Sequence, residues 1–152
     1  ARTSGPSRIG LTAGSVAHKV RRSVALGDLP HQVTVHRFVP TRAVLRAADL
    51  VVHHGGMGTT LAAATFGVPQ LLLPQVGDQF ANAEAVPRAG IGRALIGPRT
   101  DGAVRDALAT LDADPDRREA ARGVARDIAA APAPGQVAVD LVARAMRDGA
   151  GR

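Results

Sequence analysis

The sequence predicts an α/β fold built as a doubly wound parallel sheet. Short apolar runs alternate with segments of helical periodicity along the chain. The most hydrophobic run, Pro69–Leu73, suits a central parallel strand covered on both faces. Turns rich in glycine or polar residues stand where strands hand over to helices, and such sheets bind their ligands at those turns. A length of 152 residues suits one domain, or one half of a two-domain enzyme. With 45% apolar and 21% charged residues, a packed core is expected rather than disorder.

Arg8–Thr12 reads as a short buried strand ending at the turn Ala13-Gly14-Ser15. Val16, Val20 and Val24 recur at a spacing of four, which suits one helix face, and Gly27-Asp28-Leu29-Pro30 breaks that helix. Val33–Val39 alternates as a strand until Pro40 stops it, and Thr41 is placed to cap a short helix carrying Val44, Leu45 and Ala48. Leu50–His53 is a short strand, Gly55–Thr60 a glycine-rich turn, and Leu61–Phe66 a helix closed by Gly67. After the strand Pro69–Leu73 come the loop Pro74–Asp78, a helix over Gln79–Arg88 and a last strand over Gly92–Ile96. Thr100 caps a helix with Val104, Ala107, Leu108 and Leu111 on one face. Asp114-Pro115, an N-cap followed by proline, opens a helix to about Ala131. Pro132 and Pro134 break it, Gln136–Arg147 forms the final helix, and Gly149–Arg152 is expected to fray. No internal repeat or interdomain linker interrupts the series, so residues 1–152 read as one domain.

Composition excludes several functions. There is no cysteine, hence no disulfide, zinc–thiolate site, iron–sulfur cluster or thiol nucleophile. Three Phe with no Tyr or Trp give no stacking platform for single-stranded nucleic acid and no aromatic sugar-binding face. Lys19 is the single lysine among 19 basic residues, and the arginines are dispersed. The net charge of +6 therefore reflects composition more than a nucleic-acid footprint, which needs clustering. No apolar run reaches transmembrane length, and Ala1–Pro6 leads into no hydrophobic stretch, so a cytoplasmic location is expected. Adjacent His53 and His54 on extended chain point to opposite faces and make a poor chelating pair. His18, His31 and His36 lack a partner at ligand spacing, so no metal is expected.

Three segments carry chemistry, each after a strand. His53-His54-Gly55-Gly56-Met57-Gly58-Thr59-Thr60 opens a helix. Its glycines permit close backbone approach, the helix N-terminus offers free N–H groups and a positive dipole end, and a threonine hydroxyl or histidine adds a donor. Together these describe a cradle for a diphosphate; the plainer explanation is a tight turn packed by glycines. No lysine follows the glycines, so this is not the P-loop of nucleotide hydrolases, and the GxGxxG dinucleotide pattern is absent too. Gly77-Asp78-Gln79 sets a carboxylate beside an amide, acceptors and donors suited to vicinal sugar hydroxyls, although Asp78 alone would be explained as a helix cap. Ala13-Gly14-Ser15 is a weaker signal of the same kind. All three fall at the carboxyl ends of predicted strands of one sheet.

Taken together, HHGGMGTTLAAATFGVPQLLLPQVGDQFANAEAV resembles the donor-binding signature of family 1 GT-B glycosyltransferases, in particular the bacterial type that glycosylates macrolides and other natural products. HxGGxGT, GVPQ, a proline and DQxxNA occur in order, and the likeness runs from about Val33 to about Leu95 and more loosely beyond. It implies the Rossmann-like C-terminal half of a GT-B fold. It also implies that His54 contacts the donor diphosphate, that Gly56, Gly58 and Thr59 supply phosphate donors, and that Asp78 and Gln79 hold sugar hydroxyls. Gly14 and Ser15 match a turn whose hydroxyl lies near the phosphates, and Phe38 and Val39 match the loop that meets the nucleobase. Plant relatives stack a Trp there; this chain has none, so backbone and apolar contact would hold the base.

Two departures stand out. The resemblance implies an acceptor-binding N-terminal domain that supplies the catalytic histidine base; these 152 residues are not expected to include it, so no catalytic residue is assigned. The interval from Thr12 to Val33 leaves room for one crossover helix where the family fits a helix, a strand and a loop. The expected function is the donor-binding domain of a metal-independent, inverting transferase, without cofactor. It would take a dTDP- or UDP-sugar and act on a natural-product hydroxyl together with an acceptor-binding domain of the same enzyme. The alternative is a non-catalytic donor-binding subunit of a split transferase that needs a partner chain. A nucleotide-sugar epimerase of similar architecture would need further acid–base carboxylates, which the sequence does not offer.

Overall fold

The computed structural model describes residues 9–11 and 39–149. Four short strands, β1 (Ile9–Leu11), β2 (Leu50–His53), β3 (Gln70–Leu72) and β4 (Gly92–Ala94), form one parallel sheet in the order β1-β2-β3-β4. The register sets Ile9 beside Leu50, Val52 beside Leu71, and Leu71 beside Arg93. Six helices complete the described chain: α1 (Thr41–Ala47), α2 (Met57–Thr65), α3 (Gln79–Arg88), α4 (Asp101–Asp112), α5 (Pro115–Ala130) and α6 (Pro134–Gly149). Because all four strands run parallel, the loops that leave β2 and β3 emerge at the same edge of the sheet.

Helices cover both faces, which explains why β2 and β3 are apolar without alternation. On one face Leu50, Val52 and Leu71 pack against Ala107 and Leu111 of α4. On the other, Leu72 meets Ala64 of α2, Ala83 and Val86 of α3 and Ala121 of α5, while Val51 meets Leu45 of α1 and Ala63. The small residues let α2 and α5 approach closely. At β4 the fit is tighter still: a Cβ on Gly92 would collide with the carbonyl oxygen of Gln70 and stand 2.6 Å from Val86 Cγ1.

Both caps anticipated for the long helices are present. Thr100 Oγ1 accepts from the Ala103 N–H at 3.2 Å, and Asp114 Oδ1 accepts from the Arg117 N–H at 2.9 Å with Pro115 in the first helical position. Elsewhere the boundaries differ. Pro40, not Thr41, is the N-cap of α1, since its carbonyl accepts from the Ala43 N–H, and Thr41 makes no capping bond. Helix α2 begins at Met57, within the stretch expected to be a turn, because Gly58, Thr59 and Thr60 tolerate helical geometry once Gly56 has turned the chain. Pro134 opens α6 rather than breaking the preceding segment, as its missing N–H costs nothing at a helix start, and α6 runs on to Gly149. The last strand stops at Ala94, short of Ile96. Val39 lies outside any strand; the rest of the expected strand 33–38, and the helix expected around Val16–Val24, fall outside the described residues.

Candidate functional site

The site forms where β2 and β3 hand over to α2 and α3. Only His54, Gly55 and Gly56 separate β2 from α2. Helical hydrogen bonding in α2 starts with the Thr60 N–H donating to Gly56 O at 3.1 Å, reinforced by Thr60 Oγ1 at 3.0 Å. The amides of Met57, Gly58 and Thr59 therefore have no acceptor within the helix. No acidic residue stands in that first turn, so nothing on α2 itself offsets the positive end of its dipole. Gly58 and Met57 are exposed, Thr59 half-buried.

The two histidines have different surroundings. His53, only 2% exposed, donates from Nε2 to Gln70 Oε1 at 2.9 Å and accepts the Gly55 N–H at Nδ1, 3.1 Å away. An acceptor Nδ1 requires the neutral tautomer protonated at Nε2. Burial holds its pKa below the ordinary histidine value; the Gln70 hydrogen bond opposes that lowering and the neighbouring His54 adds to it. The His54 ring stands edge-to-face with His53, ring centres 6.5 Å apart. It is half-buried, and its Nδ1 is buried without a hydrogen-bond partner among the described residues. Its Nε2 lies over Gly56, 2.6 Å from where a Cβ would stand. A buried, unsatisfied imidazole nitrogen beside a helix N-terminus with unpaired amides forms a donor cluster suited to an anion.

The second loop leaves β3 through Leu73 and Pro74 and turns at Gly77, whose φ of +57° lies in the left-handed region. Gln79, at the start of α3, is buried, and its Oε1 accepts from the N–H groups of Gln75 at 2.7 Å and Val76 at 3.2 Å. Its carbonyl end therefore braces the loop, and only its Nε2 amide remains to offer a ligand. Asp78 occupies the N-cap position but in helical backbone geometry, with no side-chain capping bond, and its side chain is exposed. The capping explanation for Asp78 thus lacks its hydrogen bond. A guanidinium from Arg99 donates to the Pro74 carbonyl and steadies the same loop.

Asn82 links the two loops. Buried on α3, it donates from Nδ2 to Gly55 O at 2.7 Å. The structure thus sets His54 and Gly56 on the first loop, Gly58 and Thr59 in the first turn of α2, and Asp78 and Gln79 where the second loop enters α3. Gly14, Ser15 and Phe38 lie outside the described residues, and half-buried Val39 precedes α1. The sequence reading gave no role to His53, Gln70 or Asn82, and it offered the hydroxyl of Thr59 or Thr60 as a ligand donor, whereas the Thr60 hydroxyl donates to Gly56 O. A signal for Gln70 existed: a polar side chain in the most apolar run must have a buried partner. Among the described residues no group of three or more His, Asp or Glu is placed to hold a metal, and no helix is long and apolar enough to cross a membrane.

Residues 12–144 match the family model described as erythromycin biosynthesis protein CIII-like, C-terminal domain. The chain belongs to this family. Over 118 residues the CIII-like domain is 44% identical to elloramycin glycosyltransferase ElmGT of Streptomyces olivaceus, an alignment covering 76% of this chain and 29% of that protein. The solved structure titled spinosyn rhamnosyltransferase SpnG superposes with a TM-score of 0.80 at 27% identity, over 93% of this chain and 46% of that one. The same enzyme solved with thymidine diphosphate gives a TM-score of 0.73 at 30% identity, over 89% of this chain and 36% of that one. The CIII-like domain thus spans less than half the length of these relatives, and its fold is the Rossmann-like C-terminal half of the GT-B architecture.

Proposed function

We propose that this CIII-like domain binds the nucleotide-sugar donor of an inverting natural-product glycosyltransferase, with a dTDP- or UDP-sugar as substrate. The observation that carries the reading is His54: a buried Nδ1 with no partner among the described residues, set beside the first amides of α2, which have no acceptor within the helix. In the reaction, the acceptor oxygen attacks the anomeric carbon in line as the bond to the diphosphate oxygen breaks, and a base takes the acceptor proton. Negative charge grows on the leaving diphosphate. The amides of Gly58 and Thr59 and the His54 imidazole stabilise it, an electrostatic role that donors fixed before reaction perform without reorganisation. They stand where a divalent cation would otherwise do the same work. Asp78 and the Gln79 amide face the sugar hydroxyls, and Gly14, Ser15, Phe38 and Val39 belong to the phosphate and base ends of the same donor.

The acceptor and its base lie outside this chain, in a further domain of the same enzyme or in a partner subunit. The glycosyltransferase relatives named above are more than twice as long, which supports that arrangement. The chain alone therefore binds donor without transferring sugar. Calorimetric titration of the chain with thymidine diphosphate and uridine diphosphate tests the reading. Saturable binding that is weakened in His54→Ala supports it, and no binding of either diphosphate overturns it.

A further inference from the structure

Gly55 is held on both sides of its Cα by buried side chains from different elements, one bonded to each of its two flanking peptide groups. Its N–H donates to His53 Nδ1 on β2 at 3.1 Å, and its carbonyl accepts from Asn82 Nδ2 on α3 at 2.7 Å. Gly55 has a φ of +91°, and a Cβ there would stand 3.2 Å from Gln79 O, so the peptide sits in a left-handed turn pressed against the start of α3. His53 is itself fixed, since its Nε2–H donates to Gln70 Oε1 at 2.9 Å and Gln70 Nε2 donates to Thr60 O in α2 at 3.3 Å. His53, Gln70 and Asn82 are 2%, 0% and 6% exposed. Buried polar groups have no water to fall back on, so each bond restricts the next.

We infer that His53 and Asn82 are positioning residues that clamp Gly55 through its N–H and its carbonyl and so fix the direction in which the loop presents His54 and the amides of α2 to a diphosphate. The inference rests on the donor-binding reading above. Gly55 is the middle of the three residues joining β2 to α2, so rotation about its φ or ψ turns the peptide group it shares with His54 or the one it shares with Gly56. Gln70 acts one step further back, holding the His53 ring in the plane that points Nδ1 at Gly55. A plainer account makes these side chains core polar groups that merely satisfy one another, and the two accounts order the variants differently.

In H53N the asparagine oxygen can still accept the N–H two residues on, as in an Asx turn, but the bond to Gln70 is lost. In H53Q the side chain keeps nearly the volume of histidine and reaches Gln70, but no longer accepts from Gly55. N82D is isosteric and lacks the donor to Gly55 O. Thymidine diphosphate affinity is measured by calorimetry, melting temperature by calorimetric scan, and Gly55 amide exchange by NMR. Positioning requires H53N to bind within about twofold of the wild type despite a lower melting temperature, and H53Q and N82D to bind about tenfold more weakly. The Gly55 amide is protected in wild type and H53N and exchanges fast in H53Q. Wild-type binding with H53Q and N82D unchanged, or affinities that simply follow melting temperature, overturns the positioning role alone. A wild type that binds no diphosphate overturns the donor-binding reading itself.

Discussion

The imidazole of His54 lies across the backbone of Gly56, with Nε2 2.6 Å from the point a Cβ would occupy and Cε1 and Cδ2 at 3.3 and 3.4 Å. Gly56 has φ −62° and ψ 140°, ordinary extended backbone that any residue adopts. Glycine is required here for space, not for conformation, and the space belongs to the histidine.

Gly56→Ala should therefore act through His54. The added methyl displaces the ring, so thymidine diphosphate affinity falls by about 1.5–3 kcal/mol, as it does in His54→Ala when a donor to a charged group is removed. The double variant should lose no more than either single one, because each removes the same contact. Calorimetry on the four proteins reads the cycle, and full additivity would separate the glycine from the ring.

His53 gives stability a pH dependence of known sign. Its folded-state pKa lies below the ordinary histidine value, chiefly because of burial. An unfolded chain therefore takes up this proton at a higher pH than the folded one. The stability tied to neutral His53 is complete above about pH 6.5 and declines as pH falls from there toward the folded value, with a slope that approaches 1.4 kcal/mol per pH unit. Denaturant unfolding of wild type and H53Q from pH 8 to pH 5 should give curves that converge toward acid. Parallel curves would mean that His53 does not titrate differently on folding.

Gly92→Ala should be among the most damaging single-methyl additions. The new Cβ meets the backbone carbonyl of Gln70 and, at 2.6 Å, Val86 Cγ1, and backbone paired in a central strand yields little. Overpacking of this kind costs about 3 kcal/mol, seen as a lower denaturation midpoint at unchanged m-value. Gly58→Ala, where a Cβ meets nothing within 4 Å, is the control expected to keep its stability.

Much of this arrangement was legible because it depends on local chemistry. The apolar run at Pro69–Leu73, broken only by Gln70, announced a strand covered on both sides, and Thr100 and Asp114-Pro115 announced helix starts by side-chain oxygens that accept from the Ala103 and Arg117 amides. Boundaries near glycine and proline were less legible, since those residues both end and begin helices. Gly58 reads as a turn yet lies in the first turn of α2, and Pro134 reads as a breaker yet opens α6. Of the polar network only Gln70 left a signal, as a polar side chain in an apolar run, and its partners were not legible. His53, Gln70, Thr60 and Asn82 come from four elements, and their bonds exist only once β2 and β3 are in register and α2 and α3 are packed. Gln79 shows the same limit, for the local pattern gives an amide beside a carboxylate, while the fold turns its oxygen inward to Gln75 and Val76.

The difference between Gln79 and Asp78 sets the last prediction. Gln79 has structural work as well as any ligand role, so its loss would disturb the loop and blur a binding measurement. Asp78 is exposed and makes no capping bond, so Asp78→Ala should leave the melting temperature unchanged. A lost cap would instead lower stability by about 1 kcal/mol. If Asp78 reads sugar hydroxyls, its removal leaves affinity for bare thymidine diphosphate intact and weakens the nucleotide sugar by about 1–3 kcal/mol. Titrating both ligands into the variant, with a melting curve for each, distinguishes the two. The sugar series should include donors bearing full sets of hydroxyls, because a deoxysugar that lacks the contacted group binds wild type and variant alike. An equal loss for diphosphate and nucleotide sugar would move Asp78 from the sugar to the phosphate end of the cleft, and a lower melting temperature without any selective loss would return it to the role of a cap.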